Sequence, residues 1–273
     1  MGKSIWVLLL PEELMSFDVE EKTSLIAQWI KDHDRIVIFT GAGVSTESGI
    51  PDFRSPGGIW ERFDPNEFLF DNFLASEKVR EKYWQFHTEI YYTILKAKPN
   101  PAHLACVALD QIGKLDCVIT QNIDNLHQNA GLPREKVIEL HGNALRVTCL
   151  TCKKEYDRKA IQQRVEGGEG DLRCDDCKGL LKPATIAFGQ PMPFKEMKEA
   201  ESRSTNAEVF LAIGSSLVVY PAAYVPLYAK QGGAKLAIIN LAPTPYDHQA
   251  DVVVQEKAGV AMEMILEGVK KRV

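Results

Sequence analysis

Six short runs rich in β-branched residues recur along this 273-residue chain, at 35–39 (Arg-Ile-Val-Ile-Phe), 117–119, 136–140, 209–213, 235–239 and 251–254. They are continuously apolar at their centres instead of alternating, which is the mark of a strand covered on both faces, as in a parallel sheet. Helical spacing of apolar residues falls around and between them, at 19–33, 76–95, 101–112, 220–231 and 259–271. Strand–helix repetition of this kind predicts an α/β fold built on a doubly wound, Rossmann-like parallel sheet. The chain contains no internal repeat and no low-complexity tract.

One segment breaks the rhythm. Residues 142–183 lack long apolar runs and hold two C-x-x-C pairs, Cys149/Cys152 and Cys174/Cys177. Two residues between thiolates let both sulfurs of a knuckle reach one ion, and two knuckles complete a tetrahedral site with Zn–S distances near about 2.3 Å. A redox dithiol is expected as a single pair at a helix start, so zinc is favoured over that reading and over an iron–sulfur cluster. Four protein ligands leave no open position, so the ion is expected to be structural and the segment to be a small inserted zinc module. Cys106 and Cys117 lie alone among apolar neighbours and read as core filling. Unpaired thiols of this pattern suit a reducing compartment, and the cytoplasm is the expected location.

The remaining bulk properties exclude more than they identify. A net charge of −5 advertises no nucleic-acid surface. The early apolar run 5–10 is too short to cross a bilayer and is followed by Pro11-Glu12-Glu13 instead of a cleavage site, so no membrane partner is expected. Residues 1–17 are read as an N-terminal extension outside the folded domain, which would then occupy 18–273, with its large part at about 18–141 and 184–273 and the zinc module at about 142–183.

The chemistry gathers after the strands. Gly41-Ala42-Gly43 follows the first run directly, where absent Cβ atoms would let the backbone approach a pyrophosphate and the following helix would supply N–H donors. Thr46 stands where a dinucleotide fingerprint has its third glycine, and Asp52-Phe53-Arg54 follows. A second turn, Gly214-Ser215-Ser216, comes after the run at 209–213, and Asn240-Leu241 after the run at 235–239. Thr120 to His127 (T-Q-N-I-D-N-L-H) places amides and a carboxylate after a third run, and His141-Gly142 follows a fourth. Open α/β sheets bind ligands at the carboxyl ends of their strands, so these loops are expected to converge. His141 is placed there to act as a base, or to hydrogen-bond its own loop.

In order, G-A-G-V-S-T-E-S-G-I-P-D-F-R, T-Q-N-I-D-N-L-H, H-G-N, the two knuckles, F-G-Q-P-M-P and G-S-S-L-V-V-Y-P-A resemble the motifs of the sirtuins, over about residues 20 to 270. The resemblance implies an NAD-dependent protein lysine deacetylase that transfers an acetyl or longer neutral acyl group from lysine to ADP-ribose and releases nicotinamide. Its implied partners are NAD as co-substrate, structural zinc and an acyl-lysine protein or peptide. His141 and Asn122 would be catalytic, His141 as general base toward a hydroxyl of the nicotinamide ribose. Gly41, Ala42, Gly43 and Thr46 would hold the pyrophosphate side. Asp52, Phe53 and Arg54 would belong to the part of the loop that closes over the nicotinamide ribose, and Trp60 would be a further cofactor-binding residue. Gln121, Asn122, Ile123 and Asp124 would bound the nicotinamide pocket. Gly214, Ser215 and Ser216 would bind ribose and phosphate, with Asn240, Leu241 and Ala258 at the adenosine end. Ile186, Phe188, Gly189, Val218, Val219 and Tyr220 would flank the peptide, added as a strand.

Two departures from the family pattern stand out: Gln190 replaces a carboxylate, and Ala187 replaces a large residue. The stretch Trp84 to Ile90 offers no arginine for an acyl carboxylate, which disfavours succinyl and malonyl groups. Protein mono-ADP-ribosyl transfer and non-catalytic reading of acyl-lysine or NAD are the alternative functions.

Overall fold

The computed structural model describes residues 11–52 and 58–271. Its strands are β1 (Ile36–Thr40), β2 (Leu115–Thr120), β3 (Val137–Glu139), β4 (Gly142–Cys149), β5 (Glu155–Asp157), β6 (Leu181–Thr185), β7 (Val209–Ile213), β8 (Lys235–Ile239) and β9 (Val252–Val254). The helices are α1 (Pro11–Asp32), α2 (Phe70–Ala75), α3 (Glu77–Lys96), α4 (Pro101–Gln111), α5 (Leu126–Asn129), α6 (Arg158–Glu166), α7 (Phe194–Thr205), α8 (Val225–Gln231) and α9 (Ala258–Lys270).

All six β-branched runs become strands of one parallel sheet, in the order β3-β2-β1-β7-β8-β9. Alternation along the strands explains why the runs look unbroken. Ile36 and Ile38 of β1 face a core with α1, α4 and α9, whereas Val37 and Phe39 face a second core with α7 and α8. Both faces exclude water, so every position needs an apolar side chain. Phe39 is fully buried and stacks on Phe210 with ring centroids 6.4 Å apart. Phe39→Ala is expected to cost about 3–5 kcal/mol, read as a lowered denaturant midpoint at unchanged slope.

Sequence signals place the helix starts. Ser76 caps α3 by accepting from Val79 N–H, and Asn100 caps α4 ahead of a proline in the first turn. One expected helix is shortened. Residues 220–231 form a turn and a 3₁₀ segment before α8 begins at Val225, because Pro221 and Pro226 lack the N–H groups that a continuous helix uses. The first helix, expected over 19–33, extends back to Pro11.

The cysteine segment folds as an antiparallel sheet, β5-β4-β6, with α6 against it. Contrary to its polar composition, it has a small core of Val147, Cys149, Ile161, Leu172, Cys174 and Leu181, which Trp84 of α3 completes. Among the described residues, no helix is long and apolar enough to cross a membrane.

Candidate active site

A cavity of about 700 Å³ opens at the carboxyl ends of β1, β2, β7 and β8 and reaches under β6. It is lined by Gly41, Ala42, Gly43, Thr46 and Asp52, by Gln121 to Asp124, by His141, by Gly214, Ser215 and Ser216, and by Asn240, Leu241 and Ala258. Ile186, Phe188, Gly189, Val219 and Tyr220 line it as well, while Val218 lies beside it and is half-exposed. Phe53, Arg54 and the Trp60 side chain fall outside the described residues.

The expected helix after the first glycine turn is replaced by two 3₁₀ turns, Ala42–Val44 and Thr46–Ser48. Gly49, at a φ of 84°, ends the second, and Pro51 follows. The glycines answer first to each other. A Cβ on Gly41 would stand 2.7 Å from the Gly214 carbonyl oxygen, and one on Gly214 would stand 2.4 Å from Val44 N. The turns after β1 and β7 thus meet backbone to backbone, tied by Gly41 N–H to Ile213 O at 3.0 Å and Gly43 N–H to Gly214 O at 2.8 Å. Gln121 adds a side-chain bridge, its Nε2 donating to Ser215 Oγ at 2.8 Å.

The amide and carboxylate cluster after β2 is internally wired. Ser45 Oγ donates to Asp124 Oδ2 at 2.6 Å, Asn122 Nδ2 donates to Ser45 Oγ at 3.1 Å, and Leu126 N–H donates to Asp124 Oδ1 at 2.9 Å. Burial pushes the Asp124 carboxyl above its ordinary range, an effect its hydrogen bonds from Ser45 and Leu126 oppose.

His141 follows β3 and immediately precedes β4. Its Nδ1 lies 3.0 Å from the Gln121 carbonyl, which only accepts, so Nδ1 carries the proton and Nε2 is left as the basic nitrogen. Burial holds this imidazole below its usual pKa, against a smaller opposing effect of the Gln121 contact. The next residue has to be glycine: Gly142 has a φ of 75°, and a Cβ there would fall 2.0 Å from Ala184 O. On the far side, Ile186 N–H donates to His141 O at 2.9 Å.

The flank expected to take a peptide carries hydrogen bonds of its own. Residues 187–190 form a turn closed by Gln190 N–H to Ala187 O at 3.0 Å, and Gln190 Oε1 accepts from Ala187 N–H at 3.2 Å. Gln190 therefore serves its own loop. Phe188 O accepts from Phe70 N–H at 2.8 Å. At the other end of the cavity, Asn240 Nδ2 donates to Ala242 O at 2.6 Å, which leaves Leu241 exposed.

Three contributors were not read as site residues from the sequence. Glu47 lines the cavity and holds the first turn of α9, its Oε2 accepting from Gly259 N–H at 2.7 Å. Asn100 reaches back to the first loop, donating to Val44 O at 2.7 Å and Ser48 Oγ at 3.0 Å. Thr40 joins β1 to β2 through Thr120 Oγ1 at 2.8 Å. Pro99-Asn100-Pro101 is readable as a helix start, but none of the three signals its distant partner.

The four cysteines form the second centre. Their sulfurs all lie within 4.8 Å of one another. Both knuckles close in the same way, with Lys153 N–H to Cys149 O and Lys178 N–H to Cys174 O each at 3.0 Å and both lysines at positive φ. Tyr156 OH sits 3.1 Å from Cys174 Sγ. Four converging thiolate donors fit zinc, and no position remains for a substrate.

The Sir2 family model matches residues 41–221. An NAD-dependent protein deacetylase of Caldivirga maquilingensis is 47% identical over 86% of this chain and 88% of its own length. One from Thermodesulfovibrio yellowstonii is 43% identical over 94% of this chain and 98% of its own. A Sir2–p53 peptide–NAD+ structure matches with a TM-score of 0.81 at 38% identity, covering 90% of this chain and 98% of that one. With its glycine turns, His141 and thiolate cluster arranged as described, the chain belongs to the Sir2 family.

Proposed function

We propose that this protein is an NAD-dependent protein lysine deacetylase in which His141 is the general base. The relatives named above are NAD-dependent protein deacetylases, and Sir2 structures with NAD and acetylated peptide share the fold. The observation that carries the assignment is His141 Nε2, basic and in the cavity beside the Asn122–Ser45–Asp124 cluster. NAD is cleaved at its nicotinamide–ribose bond, so that nicotinamide is the leaving group and the ADP-ribose part is the acyl acceptor. Gly41 to Gly43 and Gly214 to Ser216 hold its phosphates and ribose, and Asn240, Leu241 and Ala258 the adenosine. Asn122 and Asp124 orient the nicotinamide carboxamide, and His141 Nε2 removes a proton from a ribose hydroxyl. Peptide lies along Ile186, Gly189, Val219 and Tyr220. Cys149, Cys152, Cys174 and Cys177 hold zinc for structure, and metal-binding thiolates together with the lone thiols Cys106 and Cys117 favour a reducing compartment such as the cytoplasm.

The acyl end is neutral. Phe86, His87 and Ile90 of α3 line the cavity with Phe63 and Phe68. His87 is held well below the ordinary imidazole pKa, chiefly by burial and then by Lys182 and Arg158. Arg62 lines the same wall but is paired with Glu89 at 2.6 Å. Arg158 lies behind the wall, its guanidinium between the rings of Trp84 and Tyr91 at 5.1 and 4.9 Å. A carboxylate on the acyl group would be desolvated without a partner. Succinyl-peptide is therefore expected to show kcat/KM at least roughly 100-fold below acetyl-peptide.

The deciding experiment incubates acetylated peptide with the protein, with and without NAD, and follows products by mass spectrometry. Free lysine, nicotinamide and acetylated ADP-ribose appearing together only with NAD are expected. Normal NAD binding without turnover of any acyl-peptide refutes the assignment.

A further inference from the structure

Behind the nicotinamide end of the cavity, hydrogen bonds close almost into a ring. Asn122 Nδ2 donates to Ser45 Oγ, and Asn122 N–H donates to Thr120 Oγ1 at 3.0 Å. Thr120 also accepts from Thr40 Oγ1, which meets His127 Nε2 at 3.1 Å. From the other direction, the loop carrying Ser45 is held by Asn100 through Val44 O and Ser48 Oγ. Asn100 N–H in turn donates to His103 Nδ1 at 3.3 Å. His103 and His127 stand side by side, ring centroids 4.8 Å apart at 56°. Both are buried, at 0% and 1% exposure, and both keep one nitrogen without a partner: His103 Nε2 and His127 Nδ1. The ring is closed everywhere except between these two imidazoles.

The unpartnered atoms are complementary. His103 Nδ1 accepts from a backbone N–H, so the neutral ring carries its proton on Nε2 and offers a donor. Thr40 gives its hydroxyl proton to Thr120, so it takes the Nε2 proton of His127, whose Nδ1 is then an acceptor. One buried donor and one buried acceptor, on adjacent rings, make a pair that a small ring rotation or a single water would join. Burial keeps both rings neutral, with His103 drawn down to about 4 and His127 well below its ordinary range.

We propose that His103 and His127 are positioning residues that lock the nicotinamide end of the NAD site by coupling the end of β2 to the first glycine loop. The proposal rests on the reading of Asn122, Ser45 and Asp124 as that end. Neither histidine lines the cavity, so neither touches the substrate. They act through Thr40, Thr120 and Asn100, which fix Asn122 from one side and Ser45 from the other.

The test compares wild type with His127→Phe, Thr40→Val, the double variant and His127→Gln, which keeps a donor for Thr40. Loss of one link in a cooperative network is expected to raise the KM for NAD and the inhibition constant of nicotinamide roughly tenfold, with the peptide KM unchanged. The near-isosteric Thr40→Val should match His127→Phe, and the double variant should be no worse than either. His127→Gln should return to within about threefold of wild type. Amide hydrogen exchange supplies a readout independent of turnover. Residues 41–48 and 119–124 should exchange faster together in His127→Phe and Thr40→Val, and recover in His127→Gln. Additive effects in the double variant, exchange changes confined to α5, or a glutamine variant as defective as phenylalanine would each overturn the proposal. Wild-type protein that releases no nicotinamide refutes the functional reading instead, and the exchange pattern still decides this one.

Discussion

Replacing His141 by alanine should lower kcat for deacetylation by about 10²- to 10⁴-fold, the range over which a positioned base contributes. NAD binding should remain within about threefold of wild type, because the Gly41–Gly214 contact and the Ser45–Asp124 cluster do not pass through the imidazole. The pH profile adds a signed expectation. The active form is the neutral ring, so activity is lost as pH falls through the His141 pKa, and burial lowers that pKa from 6.5. The acid limb of wild type should therefore have its midpoint below 6.5, and this limb should be missing from the residual rate of the alanine variant. An alanine variant with wild-type kcat, or one whose only defect is loss of NAD binding, would remove His141 from the chemistry.

Stripping the metal should abolish activity as completely, by a different route. The small module has few apolar members, and two of its buried core residues, Cys149 and Cys174, are also thiolate donors. Structural zinc in small modules supplies about 10 kcal/mol or more of folding free energy, which a core of this size cannot replace. Prolonged chelation, or Cys174→Ser, should unfold β4 to β6 and expose Trp84, visible as a red-shifted tryptophan signal and lost exchange protection over 142–185. The catalytic loss follows from chain geometry. His141 is held between Gly142, where β4 starts, and Ile186, whose N–H grips the His141 carbonyl just beyond β6. Melting the module loosens both supports. Metal-free protein that keeps full turnover would refute the structural role.

What could be read in the sequence follows from the range of the forces involved. The six strands were legible because each is buried on both sides, and a run such as Ile36-Val37-Ile38-Phe39 answers two cores at once. The cysteine knuckles were legible because their constraint spans four residues. Helix α6 was hidden: its apolar side is little more than Ile161 and Val165, and it finds its core only on meeting Trp84 from another part of the chain. The helix expected from 220 was cut short by two prolines within an otherwise helical apolar pattern, which leaves a turn at 220–224. The site divides in the same way. Glycines, His141 and the amide cluster sit beside strand ends and show as local motifs. Asn100 and Glu47 act over 56 and 212 residues, respectively, where single-chain spacing carries no information.

The contact between the turns after β1 and β7 also sets the order in which this protein can change. Gly41 and Gly43 leave no room for a methyl group because Gly214 is there, and Gly214 leaves none because Gly43 and Val44 are there. No member of the trio can be relaxed first: each single replacement pushes apart the two halves of the sheet at the mouth of the cavity. A mutational path through this point has no first step, however well the other two positions are adapted. Variation in such a protein is steered away from these interlocked turns and toward surfaces that are not interlocked, such as the 187–190 turn.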